Sequence, residues 1–523
     1  MFEGENKREK IIVLLTMCFA LFMAMLDNTV VNVALPTISK SLGAGFSGLQ
    51  WIVDGYVLAF ASLLLTGGIL GDRYGRKRMF LAGLAGFTLA SLACGLAQST
   101  AQLITFRAIQ GIGASLLMPG TLSILSVTFP PHERAKAIGI WAGVSAIALA
   151  LGPTLGGWMV EHVGWESIFF LNVPIGLVGF FVGMQSIRES RSPELRRLDL
   201  VGLGLGTAGL FSMTYGLIEA NQLGWADPKI IATLAAAAVL FVAFITYERR
   251  ADHPMMPLNL FRIPAFSAGN SVAFAVSFGM FGTYFFASLY LQLVRHYSAF
   301  GAGVRFLPMT GMVIFAAPNS GRLASKYGSR WPMVIGLTMA GTGLLLLSRI
   351  GATTSFALVV PIFMIMGLGM GSTMTPMTAA VMNAVGVERA GLGSATTNTS
   401  REVGGVFGIA LLGTLLSTKL KSSLTSAIAG IGLAPAQLRA VLDTAGHGRV
   451  DPAVLKALRP DQAAAVQRAF GGSFIDGFHV AVIVAGVVLL IAAAISYRFI
   501  PSGAPKRDAL APPEIEAAEA AAV

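Results

Sequence analysis

Charge is what this chain has least of. Asp, Glu, Lys and Arg make up 12% of its 523 residues, about half the share usual in a soluble domain. That shortage excludes a soluble globular enzyme, because the hydrophobic 54% is gathered into long runs of about 20 residues, the length that crosses a hydrocarbon core. Mean hydropathy is +0.71. Cysteine is nearly missing: Cys18 and Cys94 both fall inside apolar runs, which argues against a disulfide framework. A phosphate-cradling G-x-x-x-x-G-K-[ST] loop is missing too, so ATP is not the expected driving force. Neither a metal nor an organic cofactor is expected, and no enzymatic activity. The run from Ile11 to Pro36 is too long for a cleavable signal, and no small-residue cleavage site follows it.

What is abundant is glycine, with 61 residues, and small residues let helices approach closely in lipid. Fourteen membrane spans are predicted, at 11–35, 49–70, 79–97, 101–126, 137–160, 165–187, 199–218, 229–247, 266–291, 303–322, 332–349, 355–382, 393–417 and 473–499. The net charge of +11 need not mean nucleic acid. With the N-terminus inside, the inner segments hold Arg73, Arg76, Lys77, Arg78, Arg188, Arg196 and others, whereas the short outer loops hold only Lys40, Lys229, Arg295 and Arg349. That bias predicts a multi-pass protein of a bacterial-type cytoplasmic membrane with both termini in the cytoplasm, and no nucleic-acid partner. One long outer loop, 418–472, carries seven Lys/Arg, but long loops translocate largely regardless of charge. Asp451-Pro452 reads as a start signal for a helix over Ala453 to Phe470. This loop either caps the outer mouth or contacts a partner, or it is a solvated insert. The Ala/Pro/Glu-rich tail 501–523 is expected to be disordered.

The chain repeats itself. Gly68 to Lys77 aligns with Gly321 to Arg330, Gly111-Ile-Gly113 with Gly367-Leu-Gly369, Pro119 nearly with Pro376, and Glu133-Arg134-Ala135 with Glu388-Arg389-Ala390. Matches in one order at a nearly constant offset imply two parallel six-span halves about an axis normal to the membrane. The predicted organisation is an all-α integral membrane protein with a six-helix half over 1–190, two inserted spans and linkers over 191–257, and a second six-helix half over 258–500 that contains the 418–472 insert.

Asp27 lies inside the first apolar run, followed by Asn28 and Asn32. An ionised carboxylate at that depth costs about 2.5–3.5 kcal/mol on insertion scales, so it is seldom left facing lipid. It faces a wet cavity, pairs with a cation or takes up a proton. Counting about 1.5 Å per residue, Asp27, Asp54 of span 2 and Arg107 of span 4 all fall in the outer half of the membrane, near enough in height to form one polar cluster. Burial and an adjacent cation pull a carboxyl's proton affinity in opposite directions, so such a site can bind and release a proton as water access changes. A static ion pair that fixes helix packing is the alternative. The counterpart of Arg107 in the repeat is Phe363, so the fold alone does not demand the arginine. Arg401-Glu402 places a second acid near mid-depth in span 13, either for cation recognition or proton transfer, or as a shielded Arg–Glu pair. Phe278, Phe281, Tyr284, Phe285 and Phe286 of span 9 either line a cavity or face lipid. Asp476 and His479 are read as interfacial.

Two stretches look like gating elements. In the loop Gly68 to Arg78, Gly71 and Gly75 permit a tight turn, Asp72 can bond an arginine or a helix N-terminus, and Arg73 and Arg76 supply cations. In span 5, Gly152, Pro153, Gly156 and Gly157 leave a thin, bendable helix.

Together, Leu26-Asp27-Asn28 to Pro36, the Gly68–Arg78 loop, the Arg107 to Gly113 motif and Gly152-Pro153 with Gly156-Gly157 resemble the major facilitator superfamily, and within it the fourteen-span drug:proton antiporters of the EmrB/QacA type. The resemblance implies alternating access, export from cytoplasm or inner leaflet, and proton influx as the drive. By position, Asp27, Asp54 and Arg107 look like the family's coupling and binding residues, with Arg401-Glu402 departing from the usual neutral amide at its second position. The expected function is multidrug efflux of amphipathic cationic or neutral compounds, with protons, small lipophilic substrates and membrane lipid as partners. A dedicated exporter of one metabolite, lipid or peptide, including self-resistance to a secreted product, is the alternative, and a non-transporting receptor on the same fold a more distant one.

Overall fold

The computed structural model describes residues 7–129, 131–191, 199–252, 254, 256, 258–385, 390–446, 450 and 452–503. The tail from 504 onward, Arg196, Asp451 and the Glu388-Arg389 part of the repeat lie outside the described residues. Among these residues every regular element is helical: α1 (Lys7–Leu42), α2 (Phe46–Tyr74), α3 (Arg76–Gly95), α4 (Thr100–Thr128), α5 (Pro131–His162), α6 (Ser167–Phe170), α7 (Asn172–Ser186), α8 (Leu200–Leu223), α9 (Pro228–Glu248), α10 (Pro264–Leu289), α11 (Ala299–Arg305), α12 (Leu307–Tyr327), α13 (Arg330–Leu347), α14 (Phe356–Val385), α15 (Ala390–Ile428), α16 (Pro435–Gly446), α17 (Pro452–Lys456) and α18 (Pro460–Phe499). Among the described residues thirteen helices are long and apolar enough to cross a membrane. The 32-residue α5 stands at the fifth predicted span. A bilayer admits this architecture because a helix satisfies its own backbone hydrogen bonds, which lipid cannot do.

The helix pairs repeat. In the first half α2 packs on α4, α3 on α4, α1 on α5 and α3 on α7; in the second, α12 packs on α14, α13 on α14, α10 on α15 and α13 on α18. Of the inserted pair, α8 leans on both α2 and α15 and therefore touches both halves, while α9 packs on α8. One large apolar cluster runs through both halves.

Three details differ from the predicted spans. The sixth is broken at Leu171 between α6 and α7, and the tenth at Phe306 between α11 and α12. The third difference is the helix predicted over Ala453 to Phe470, which is two helices. Pro460 occupies the first turn of α18, and a proline disfavours helical geometry in the residue before it, so Arg459 is extended and α17 stops at Lys456. The loop is also shorter than expected, because α15 continues to Ile428. Leu420, Leu424 and Ile428, spaced at i, i+4 and i+8, are buried on one face, and Lys419 and Lys421 are exposed on the other.

Candidate functional site

Asp27 and Arg107 meet. Arg107 Nη1 is 2.5 Å from Asp27 Oδ2, and both side chains are fully shielded from solvent. The same Nη1 donates to Gln110 Oε1 (2.7 Å), one turn further along α4. The other carboxylate oxygen, Oδ1, accepts from Gln110 Nε2 (3.0 Å) and Asn172 Nδ2 (2.9 Å). Asn172 begins α7 directly after the break at Leu171. Its amide also donates to Ser91 Oγ (3.0 Å), which donates to Phe169 O (2.9 Å). Arg107 Nε donates to Ile52 O (3.2 Å), and the guanidinium carbon lies 4.2 Å from the Tyr56 ring centre. Five helices thus converge on one carboxylate: α1, α2, α3, α4 and α7. A buried charge is tolerated when paired and hydrogen-bonded, and here both oxygens of the acid are. Arg107 Nη2 has no partner, so both N–H donors of that nitrogen are free.

Asp54 does not join them, which corrects the single cluster predicted from depth. Ile52 and Tyr56, one turn apart, face Arg107; residue 54 lies about 200° round the helix from either. It shares its face with Gln50, whose Nε2 donates to Ile409 O (2.9 Å) of α15 in the other half. Asp54 is fully buried and neither carboxylate oxygen has a partner. Glu402, 9% exposed, is also on α15 and its Oε2 is unpartnered. It stands seven residues from Ile409 and so on the same helical face, the one turned to α2. Arg401 and Glu402 make no salt bridge within 4 Å among the described residues, so the shielded-pair reading fails. The Tyr56 phenol lies within electrostatic reach of Asp27, Arg107 and Glu402.

Asn28 and Asn32 are buried beside Asp27 on α1, and the side-chain carbonyl of each lacks a partner. Asn32 donates to Asn28 O (3.3 Å), and Ser288 of α10 donates to Asn32 O (2.8 Å). The span-9 aromatics do not face lipid: Phe278, Phe281, Phe285 and Phe286 are buried in the interior, and Tyr284 stacks on Phe306 with ring centres 5.0 Å apart. Asp476 is exposed, and His479 Nε2 lies 2.7 Å from Ile350 O.

The predicted loop Gly68–Arg78 is mostly helical, with only Gly75 between α2 and α3; across that junction Asp72 Oδ1, in the last turn of α2, accepts from Arg76 Nε (2.9 Å) and Nη2 (2.8 Å) at the start of α3. The N-terminus of α3 is satisfied instead by Glu189, which accepts from the backbone N–H of Lys77 (3.1 Å) and Arg78 (3.3 Å). Gly75 is favoured by its φ of +117°, and the Glu189 carboxylate lies close over it, 2.6 Å from where a Cβ would stand. Gly71 donates nothing to the turn but its carbonyl accepts from Gly75 N (3.1 Å), and Arg73 is exposed.

The span-5 glycines serve as contact surface on a helix that continues through Pro153. A Cβ on Gly152 would strike Thr29 Oγ1 at 1.9 Å and one on Gly156 would meet Val30 Cβ at 2.8 Å, so this pair seats α5 on α1. Gly157 would meet Ala299 O at 2.4 Å, and Gly303 would meet Pro153 O at 2.1 Å. Pro153 and Gly157 therefore seat α5 on α11 of the opposite half. Thr154 Oγ1 donates to Gly303 O (3.3 Å), and Phe300 N donates to Glu161 Oε2 (3.1 Å) across the same seam. With the Gln50 and Ser288 bonds, these links between halves all lie toward the helix ends remote from the Arg/Lys-rich loops.

Gln110, Asn172, Ser91, Tyr56 and Glu189 are not singled out in the sequence reading. Gln110 was within reach, since it sits at i+3 from Arg107. Asn172 was not, because only the packing of α7 brings it to Asp27.

Two related helical halves joined at one end, with a shielded ion pair inside the first, are the architecture of a membrane carrier built from parallel repeats. The Major Facilitator Superfamily model matches residues 17–409, and the chain belongs to that family. It is similar to the "Tetracenomycin C resistance and export protein" of Streptomyces glaucescens, 37% identical over 92% of this chain and 90% of the relative. It is 35% identical to "Multidrug resistance protein Stp" of Mycobacterium tuberculosis over 94% of this chain and 93% of the relative. It is 39% identical to the "Methylenomycin A resistance protein" of Streptomyces coelicolor over 75% and 83%. Among solved structures, a bacterial homologue of the human lysosomal transporter Spinster, inward-facing and occupied, superimposes with a TM-score of 0.64 at 20% identity, covering 95% of this chain and 97% of that one. At that identity the likeness concerns the fold.

Proposed function

We propose that the chain is a proton-coupled exporter of amphipathic cationic or neutral compounds, working by alternating access in a bacterial-type cytoplasmic membrane with both termini in the cytoplasm. The resistance and export proteins it is similar to support export of small molecules. The observation that carries proton coupling is the shielded Asp27–Arg107 pair in a place where the second repeat holds the apolar Phe363. A proton delivered to Asp27 when the outer seam opens neutralises the carboxylate and removes the charge assistance to Arg107, Gln110 and Asn172. Release of that proton toward the cytoplasm restores the pair. Inward movement of one proton through 100 mV supplies about 2.3 kcal/mol before any pH gradient is counted. In whole cells or proteoliposomes, dye efflux collapses with an uncoupler, and Asp27→Asn abolishes it at normal expression. Uphill efflux by Asp27→Asn at the wild-type rate removes that residue from the mechanism.

A second reading, an exporter dedicated to one product, draws support from the two relatives named for single compounds. A panel of chemically unrelated dyes separates the two: mutual competition favours the broad exporter, indifference to all but one compound the dedicated one.

A further inference from the structure

Asp27 Oδ1 is held by two side-chain amides whose second atoms differ. Gln110 Nε2 donates to it at 3.0 Å and Asn172 Nδ2 at 2.9 Å. The Gln110 carbonyl is already engaged: it accepts from Arg107 Nη1 (2.7 Å) and from the Cys94 thiol (3.7 Å). The Asn172 carbonyl is buried and accepts nothing. An ionised carboxylate only accepts, so the amide nitrogen of Asn172 must face it. The carbonyl is then left unpaired, which is costly in the interior.

A proton on Asp27 reverses that demand. Oδ2 stays with Arg107, which has donors only, so the acid O–H forms at Oδ1 and needs an acceptor. Gln110 cannot offer one without giving up Arg107. Asn172 can, because the nitrogen and oxygen of an amide are nearly equal in size and a half-turn needs no extra room. The change passes on to α6. Asn172 Nδ2 also donates to Ser91 Oγ (3.0 Å), whose hydroxyl donates to Phe169 O (2.9 Å). Phe169 stands just before the break at Leu171. Once the Asn172 carbonyl faces Ser91, the hydroxyl turns to it and releases Phe169 O. The body of α7 stays seated on α3, where a Cβ on Gly176 would stand 1.9 Å from Thr88 Oγ1, so the slack falls at the break.

We propose that Asn172 is a positioning residue that reads the charge of Asp27: its nitrogen faces the carboxylate, its carbonyl faces the protonated acid, and the turn between them loosens the α6–α7 break through Ser91. One O–H bond forms, at Asp27 Oδ1, with a proton from water; the rest is rotation. The titratable groups in electrostatic reach of the cluster are Arg107 of α4, Tyr56 of α2, Cys94 of α3 and, through Tyr56, Glu402 of α15. α6 and α7 carry none, α10 holds no charged residue, and α5 holds its charges at its ends. Arg305 of α11 lies over the Tyr297 ring. The proposal rests on the proton-coupling reading above.

The test is infrared difference spectroscopy, acid minus neutral, on the full-length protein in phosphatidylethanolamine–phosphatidylglycerol liposomes. A carboxylic-acid C=O band that Asp27→Asn removes is expected. So is a side-chain amide C=O band that moves with ¹³C-labelled asparagine, drops in frequency on acidification and is missing from Asn172→Leu. The isotope shift is read on the unmutated protein, so the test does not hang on a variant folding. The Asp27 band without an asparagine band overturns the proposal and leaves proton coupling standing. An asparagine band that persists in Asn172→Leu comes from elsewhere, such as the free carbonyls of Asn28 and Asn32, and overturns it too. Absence of the Asp27 band removes the coupling reading and this proposal with it. Ser91→Ala, which deletes one hydroxyl, should keep both bands and lower uphill efflux roughly three- to tenfold. Wild-type efflux in Ser91→Ala overturns the link to the break.

Discussion

The two halves share a fold but not a chemistry. In the first, α4 carries Arg107 into the interior, where Asp27, Gln110 and the Tyr56 ring enclose it. At the matching place in the second half, α14 carries Phe363, which stacks on Phe306 with ring centres 5.8 Å apart. Both side chains are buried and both helices pack on the same neighbours in their repeats. Since Phe fills the place without difficulty, packing alone does not explain the arginine. The matching C-terminal turns of α2 and α12 differ in the same direction. Asp72 accepts from Arg76 in the first half, while Ser325 at the matching place donates to Gly321 O within its own helix (3.0 Å). At these two matched places the first half carries charge that the architecture does not need, and the second does not.

That contrast can be broken by exchanging residues between halves. The largest effect is expected from Phe363→Arg, which buries a cation without a counter-ion at a cost of about 3 kcal/mol or more; membrane-inserted protein measured by fluorescence-detected size exclusion should nearly vanish. Arg107→Ala comes next. It strands the Asp27 carboxylate, and removing one member of a buried pair costs about 3–5 kcal/mol, read as a fall in melting temperature and lost efflux. The double variant Asp27→Leu with Arg107→Phe imitates the second half, and it should recover much of the thermal stability of Arg107→Ala while exporting nothing. Recovery of export would show that the ion pair is only packing.

A smaller effect concerns the seam between halves. Gly157→Val forces α5 away from the Ala299 carbonyl, and a cysteine introduced at Ala299 should then react with a membrane-impermeant maleimide roughly tenfold faster, the mark of about 1.4 kcal/mol shifted toward the outward-open state. The smallest is a pH effect at Glu161, beyond the end of the fifth span. Accepting from the Ser298 hydroxyl and the Phe300 N–H holds its carboxyl below the usual carboxylate range. A lowered value means that its contribution to the closed seam is present at neutral pH and is lost as the outer pH falls through that value. The same labelling rate should rise on strong outer acidification, and Glu161→Gln should remove the rise.

Much of this was legible in the residues. Long apolar runs announce helices because lipid leaves the backbone no other partner, and Asp27 and Arg107 stand out because charge is rare inside those runs. Depth counted along helices brought them to one height. It also brought Asp54 there, but height says nothing about azimuth: Tyr56 faces Arg107, whereas Asp54 lies about 200° round the helix from it and has no hydrogen-bond partner. The partners Gln110 and Asn172 carry no charge and have no mark of their own in an amide-bearing helix. Glu189, which caps α3, lies more than a hundred residues from it along the chain. Pro460 was visible, but its effect on the helix before it was overlooked.

By itself the sequence determined that the chain spans a membrane many times, that its two halves are related repeats, and that charges fall inside a few of its apolar runs. These follow from local properties: the length of apolar runs, their spacing, and the insertion cost of charge. Only the tertiary structure decided which charges touch, that the span-5 glycines serve two different neighbours, and that the buried Asp54 carboxylate is left without a hydrogen-bond partner. Those depend on the rotation of each helix about its axis, which is set by how side chains interlock with helices distant in sequence and is not written into any single one of them.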